Sequence, residues 1–233
     1  MVPYGYVASP DGAEVLVDGR ARGSLAQVIK RARGRPVRDA PGLLGQFCEG
    51  LALLHKSGWA HGDLRPGDVL VMADGSVRLA DSGPSALDEV RDCPPSAGRS
   101  DYLPPGYWTE LVTARGISVR ESADIWAFGV IGCQLLTGRL PFPGRTARAR
   151  SVAAIGYVSS GAPEPRTAGL TPQGRRLISD CLNPDRAASL EVTAPRLADR
   201  LDRLRQEKVP ITVTAARGWR RPAGRHRRRP ARI

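Results

Sequence analysis

Residues 121–137, ESADIWAFGVIGCQLLT, constrain the fold more than any other stretch. Ile125, Trp126, Phe128, Val130, Ile131, Leu135 and Leu136 fall on several faces of a helix rather than on one stripe. A helix that is apolar nearly all round has to be buried. At about 1.5 Å per residue it is roughly 25 Å long, the diameter of a small lobe. The remaining chain must therefore wrap it, and 233 residues suffice to do so as one domain, or one domain plus a tail. Gly138-Arg139-Leu140-Pro141-Phe142 ends the helix.

Around this centre the local signals are readable. Residues 4–7 and 13–18 are short β-prone runs separated by Ser9-Pro10-Asp11-Gly12, which predicts a hairpin. Residues 19–23 read as a loop, with Ser24 capping a short helix from Leu25 to about Ala32. Leu43, Leu44, Phe47, Leu51 and Leu54 recur at helical spacing, so residues 41–57 form an amphipathic helix. Two strands, 69–72 and 76–80, flank Ala73-Asp74-Gly75, a hairpin with a D-G turn in which Asp74 is a turn residue. Residues 82–106 show no periodicity and carry two Pro-Pro pairs. Weaker helices follow near 146–156, 172–182 and 191–206, with Pro195 fitting only a first turn.

The chemistry-bearing stretch is WAHGDLRPGDVL, residues 59–70. Asp63 and Asp68 precede the first strand of the 69–80 hairpin, and Asp81 follows the second. The hairpin brings its two ends together, so three carboxylates could gather around one phosphate-bound divalent ion. Hard cations such as Mg²⁺ take oxygen ligands and retain several waters, so one or two carboxylates suffice.

These motifs resemble the protein kinase-like superfamily, serine/threonine branch, bacterial type. His61-Gly62-Asp63 matches H-R-D, Leu64 to Asp68 matches L-K-P-x-N, and Asp81-Ser82-Gly83 matches D-F-G. Gly23-Ser24-Leu25 matches the opening of the helix after the hinge. Gly98 to Gly106 matches G-T-x-x-Y-x-x-P-E, and Asp124, Trp126 and Gly129 match D-x-W-x-x-G of the buried helix. The resemblance implies an α+β fold, a mainly α-helical large lobe with a β-hairpin remnant of the small lobe. It divides the chain into residues 1–18 (last small-lobe strands), 19–23 (hinge), 24–206 (large lobe) and 207–233 (tail). It also implies roles. Asp63 is the proton acceptor and Arg65 the cation beside the transferred phosphate. Asp68 and Asp81 are the Mg²⁺ ligands. Asp18, Arg20 and Leu70 are the ATP contacts on the adenine side.

Several positions depart from the pattern. Gly62 replaces an arginine, Arg65 a lysine, Asp68 an asparagine, Ser82 a phenylalanine and Gly106 a glutamate; Arg99 stands where the family has threonine. Residues 1–18 contain no Gly-rich loop, V-A-I-K lysine or paired glutamate, and the only lysines are Lys30, Lys56 and Lys208. Two readings stay open. One is ATP-dependent phosphoryl transfer to protein hydroxyls by a domain completed by a small lobe. The other, favoured by these departures, is an inactive pseudokinase that serves as a protein-binding or regulatory scaffold.

Net charge is +12, but eight arginines between 217 and 232 carry most of it and leave about +4 for residues 1–216. That tail reads as unstructured and suited to an anionic membrane or nucleic acid, with Trp219 to insert or stack. Cys48, Cys93, Cys133 and Cys181 form no C-x-x-C pair, which argues against zinc and for buried, reduced thiols. With no leader and no run of about 18 apolar residues, a cytoplasmic protein is expected.

Overall fold

The computed structural model describes residues 5–8, 14–17, 21–80, 85–86, 90–91, 101–107, 117–118, 120–183 and 193–201 except 195 and 198. The fold is α+β, and its described part is organised around helices.

The first hairpin forms where the turn signal puts it. Strand β1 (Gly5–Ala8) pairs antiparallel with β2 (Glu14–Val17), Tyr6 opposite Leu16. Strand β3 (Ala21–Ser24) then precedes helix α1 (Leu25–Ala32). Two expectations change here. Residues 21–24 are strand rather than loop, because a later hairpin offers them an edge to pair with. Ser24 occupies the N-cap position with extended backbone, yet its side chain makes no capping hydrogen bond.

Helix α2 (Ala40–Lys56) buries Leu44, Phe47, Cys48 and Leu51. A short strand β4 (Trp59–Ala60) leads to β5 (Val69–Met72) and β6 (Val77–Leu79). Strands β3, β5 and β6 form one antiparallel sheet, with Leu70 opposite both Ser24 and Arg78. The D-G turn closes as expected: Asp74 accepts from the Ser76 backbone N–H at 2.9 Å and from its hydroxyl at 2.7 Å. Those bonds hold the Asp74 carboxyl below the usual carboxylate range. Gln46 of α2 accepts from the Val77 N–H at 3.0 Å, which ties the hairpin to the helix behind it.

Where residues 82–106 promised no regular structure, two short strands occur. Strand β7 (Ser85–Ala86) pairs with β4, and β8 (Val90–Arg91) with β9 (Ile117–Ser118). Two-residue pairings are too short to leave a period in sequence.

Helix α3 (Glu121–Thr137) is the buried centre: every residue from Ala123 to Cys133 is buried. Phe128 packs on Phe47 of α2 with ring centroids 5.1 Å apart. Helices α4 (Ala147–Ser160) and α5 (Pro172–Cys181) start on Thr146 and Thr171, each of which accepts a backbone N–H from the first turn. Helical residues between 194 and 201 follow, with Leu197 and Leu201 in the core.

Helix α5 lies close against α3 because Gly129 has no side chain. A Cβ there would come within 2.6 Å of the Cys181 Cβ. Cys48, Cys133 and Cys181 are buried free thiols, and burial pushes Cys133 up to about 11 and Cys48 to about 12. Cys93, Pro195 and the arginine-rich tail lie outside the described residues, and no helix among those described is long and apolar enough to cross a membrane.

Candidate active site

The loop from His61 to Asp68 is held from below by one side chain. Asp124 sits in the first turn of the apolar α3 and is fully buried. Its Oδ2 accepts from the His61 backbone N–H and its Oδ1 from that of Gly62, both at 2.8 Å. The His55 ring Nε2 lies 2.9 Å from Oδ2. A carboxylate oxygen only accepts, so that ring nitrogen carries the hydrogen. Three donors satisfy a carboxylate that would otherwise be expensive to bury.

Gly62 has φ of 74°, inside the left-handed region. Any residue with a Cβ is strained there, whereas glycine is not. Glycine therefore holds this conformation without strain and brings no charge to it. Asp63 follows directly, half-buried, on a segment whose two preceding N–H groups are clamped.

Further along, the loop closes on itself. Asp68 Oδ2 accepts from the Arg65 N–H at 3.0 Å, and the Arg65 Nε lies 3.5 Å from the same oxygen. The Asp68 N–H returns to the Arg65 carbonyl at 3.0 Å, and the Ala80 N–H reaches the Asp68 carbonyl at 2.7 Å. The last bond fixes the loop to the far end of the hairpin, next to position 81. The Pro66 carbonyl accepts from the Ala26 N–H at 2.9 Å, so α1 is anchored to the loop from the other side.

Arg65, Pro66, Gly67 and Asp68 line a cleft together with Ala26, Ile29 and Tyr102. Tyr102 donates to Gln134 of α3 at 3.0 Å, and burial pushes its phenol up to about 12. Beside it, Asp101 takes a two-pronged bond from Arg150 of α4, with both N···O distances 2.7 Å.

Of the residues singled out in sequence, Asp63, Arg65 and Asp68 share this loop, and Leu70 stands on β5, half-buried. Asp18, Arg20 and Asp81 lie outside the described residues. Sequence reading placed Asp124 in a pattern but missed that it clamps the loop. It also missed His55, Gln134 and the Asp101–Arg150 pair. The available signals for Asp124 were its place in the D-x-W-x-x-G pattern and an acid in the first turn of an otherwise apolar helix.

The protein kinase domain model matches residues 4–194. This chain belongs to the protein kinase domain family. A serine/threonine-protein kinase of Corynebacterium efficiens is 28% identical over 226 residues, covering 91% of this chain and 42% of that protein. The serine/threonine-protein kinase PknA of Corynebacterium glutamicum is 29% identical, covering 84% of this chain and 43% of its own length. The Aurora kinase of Schizosaccharomyces pombe is 30% identical, with 81% and 51% covered. The chain thus spans about half the length, or less, of these curated relatives. Kinases of this family use ATP and Mg²⁺ and act on protein substrates.

Proposed function

We propose that this chain carries the phosphoacceptor side of a serine/threonine kinase site and moves the terminal phosphoryl group of ATP to a protein hydroxyl. The pinned loop carries this reading: Asp124 holds the two N–H groups immediately before Asp63, so the acid's position is set by the buried core. Phosphoryl transfer is mostly positioning and charge stabilisation. Asp63 accepts the proton of the attacking hydroxyl as the new O–P bond forms and ADP leaves. Arg65 offsets charge on the group in flight.

The donor set suits Mg²⁺. Asp68 Oδ2 is engaged by Arg65, while its Oδ1 makes no bond among the described residues and is a hard oxygen for an ion that keeps its waters. Asp68 with Asp81 would hold the ion, which supplies neutralising charge at the phosphate oxygens. Leu70, with Asp18 and Arg20, would receive the adenine.

Two observations favour the alternative, a scaffold without turnover. Arg65 and Asp68 neutralise each other across 3.5 Å, and Gly62 offers no cation to a phosphorylated segment. Incubation with γ-labelled ATP, Mg²⁺ and a mixed protein acceptor separates the two. Transfer to serine or threonine, abolished in Asp63→Asn while Mg-ATP still raises the melting temperature, supports the enzyme. Absence of both transfer and Mg-ATP stabilisation supports the scaffold.

A further inference from the structure

The stretch 21–38 carries Arg22, Lys30, Arg31, Arg33, Arg35 and Arg38 and no acid; the first carboxylate is Asp39. All six cations are exposed, and none has a carboxylate partner among the described residues. Unpaired charge of one sign on this scale makes a local field that draws the opposite charge.

Its placement gives the field a purpose. Leu25 of α1 is fully buried, and Val28 and Ile29 pack on the core. Ala26 and Ile29 also line the cleft beside Arg65 and Asp68. Residues four apart share a helix face, so Lys30 lies one turn beyond Ala26 on α1, and Arg33 follows as the residue that closes the helix. Lys30 therefore stands on the side of α1 that borders the cleft, and the Ala26–Pro66 bond ties that helix to the candidate catalytic loop.

Arg33 supplies a second, independent sign. It closes α1 in the left-handed conformation, φ 49°, although Gly34 follows immediately. A side chain held there costs about 1 kcal/mol that glycine would avoid. Strain of this kind collects at binding sites.

We infer that the basic surface of residues 21–38, Lys30 and Arg33 foremost, together with Arg65 at the cleft, selects protein segments that carry aspartate, glutamate or phosphorylated residues next to the accepting hydroxyl. The inference rests on the phosphoacceptor reading only for the hydroxyl; the acidic preference follows from the surface itself. A nucleic acid fits less well, because residues 21–38 hold no aromatic side chain on which bases could stack. A membrane fits less well too, because the apolar side of α1 is spent on the core.

The test uses the full chain and a short synthetic peptide, a central serine flanked by aspartate and glutamate, carrying a photo-reactive group. Cross-links mapped by mass spectrometry are expected within residues 21–38 and 65–68. They should weaken about tenfold in Lys30→Glu/Arg33→Glu, and a lysine-flanked peptide should not compete. Arg33→Gly should bind the peptide less tightly yet melt higher, a pairing that a purely structural arginine would not give. Cross-links confined to residues 209–233, equal competition by the basic peptide, or preferential displacement by single-stranded RNA would overturn the inference. Failure of labelled phosphoryl transfer leaves these binding outcomes unchanged, so the two readings fail separately.

Discussion

The carboxylate of Asp124 receives the backbone N–H of Gly62 at 2.8 Å, joining residues 62 positions apart. The candidate loop therefore inherits its shape from the most buried helix. Replacing Asp124 by alanine leaves the His61 and Gly62 N–H groups and the His55 ring without their acceptor. Each such buried group costs about 1–3 kcal/mol. We expect Asp124→Ala to lose about 3 kcal/mol or more in urea unfolding, and His55→Ala, which orphans one of the three contacts, to lose less. Equal losses in the two variants would refute the clamp.

Gly62 makes an opposite prediction to simple restoration of the family motif. At φ 74°, Gly62→Ala and Gly62→Arg should each destabilise by about 1 kcal/mol, since the penalty belongs to the Cβ and not to the charge. Thermal melts of both variants check this. A clear gain in stability for the arginine would mean that a carboxylate or phosphate nearby receives it.

Local chemistry was legible and remote chemistry was not. The 69–79 hairpin could be read because Asp74, Gly75 and Ser76 contain the whole turn within three residues. The burial of 121–137 could be read because it needs no knowledge of the partner. The β3 strand was read as a loop since its pairing edge, β5, lies about 50 positions on, and nothing in Ala21–Ser24 announces it. The clamp residue was visible as a member of the D-x-W-x-x-G pattern but not as a clamp. Its meaning depends on His55, His61 and Gly62, which approach it only once α2 and α3 have packed. The loop residues Asp63, Arg65 and Asp68 were identified by motif, but the closing of Asp68 onto Arg65 is a matter of rotamer and could not be read from sequence.

Asp101 and Arg150 form the most geometrically complete ion pair described, with two 2.7 Å contacts, and side chains only 14% and 19% exposed. The Asp101 hydrogen bond is the main reason the guanidinium pKa is raised. A bidentate, half-sheltered pair is stronger than an exposed one. A double-mutant cycle on Asp101→Ala and Arg150→Ala should return a coupling of about 1–2 kcal/mol that persists in 0.5 M salt at a good fraction of that value. A coupling near zero would show that the pair does not hold the segment around Tyr102, which then rests on the Tyr102–Gln134 bond and its packing on the core.

Gly129 tests the packing that supports the site. Its ideal Cβ would stand 2.6 Å from the Cys181 Cβ and 3.2 Å from the Leu182 Cδ2, in a core with no space to yield. The backbone at Gly129 is ordinary helix, so alanine there gains about 1 kcal/mol of helix propensity. Overpacking of a dense core costs typically 1–3 kcal/mol, and the contact here is Cβ against Cβ rather than a flexible side-chain end. The steric effect wins, so Gly129→Ala should be net destabilising by about 1–2 kcal/mol. Gly45→Ala on α2, where a Cβ meets nothing within 4 Å, should instead stabilise. Paired urea titrations of the two variants read the difference directly, and a stabilised Gly129→Ala would mean that α3 and α5 are not packed as closely as the structure has them.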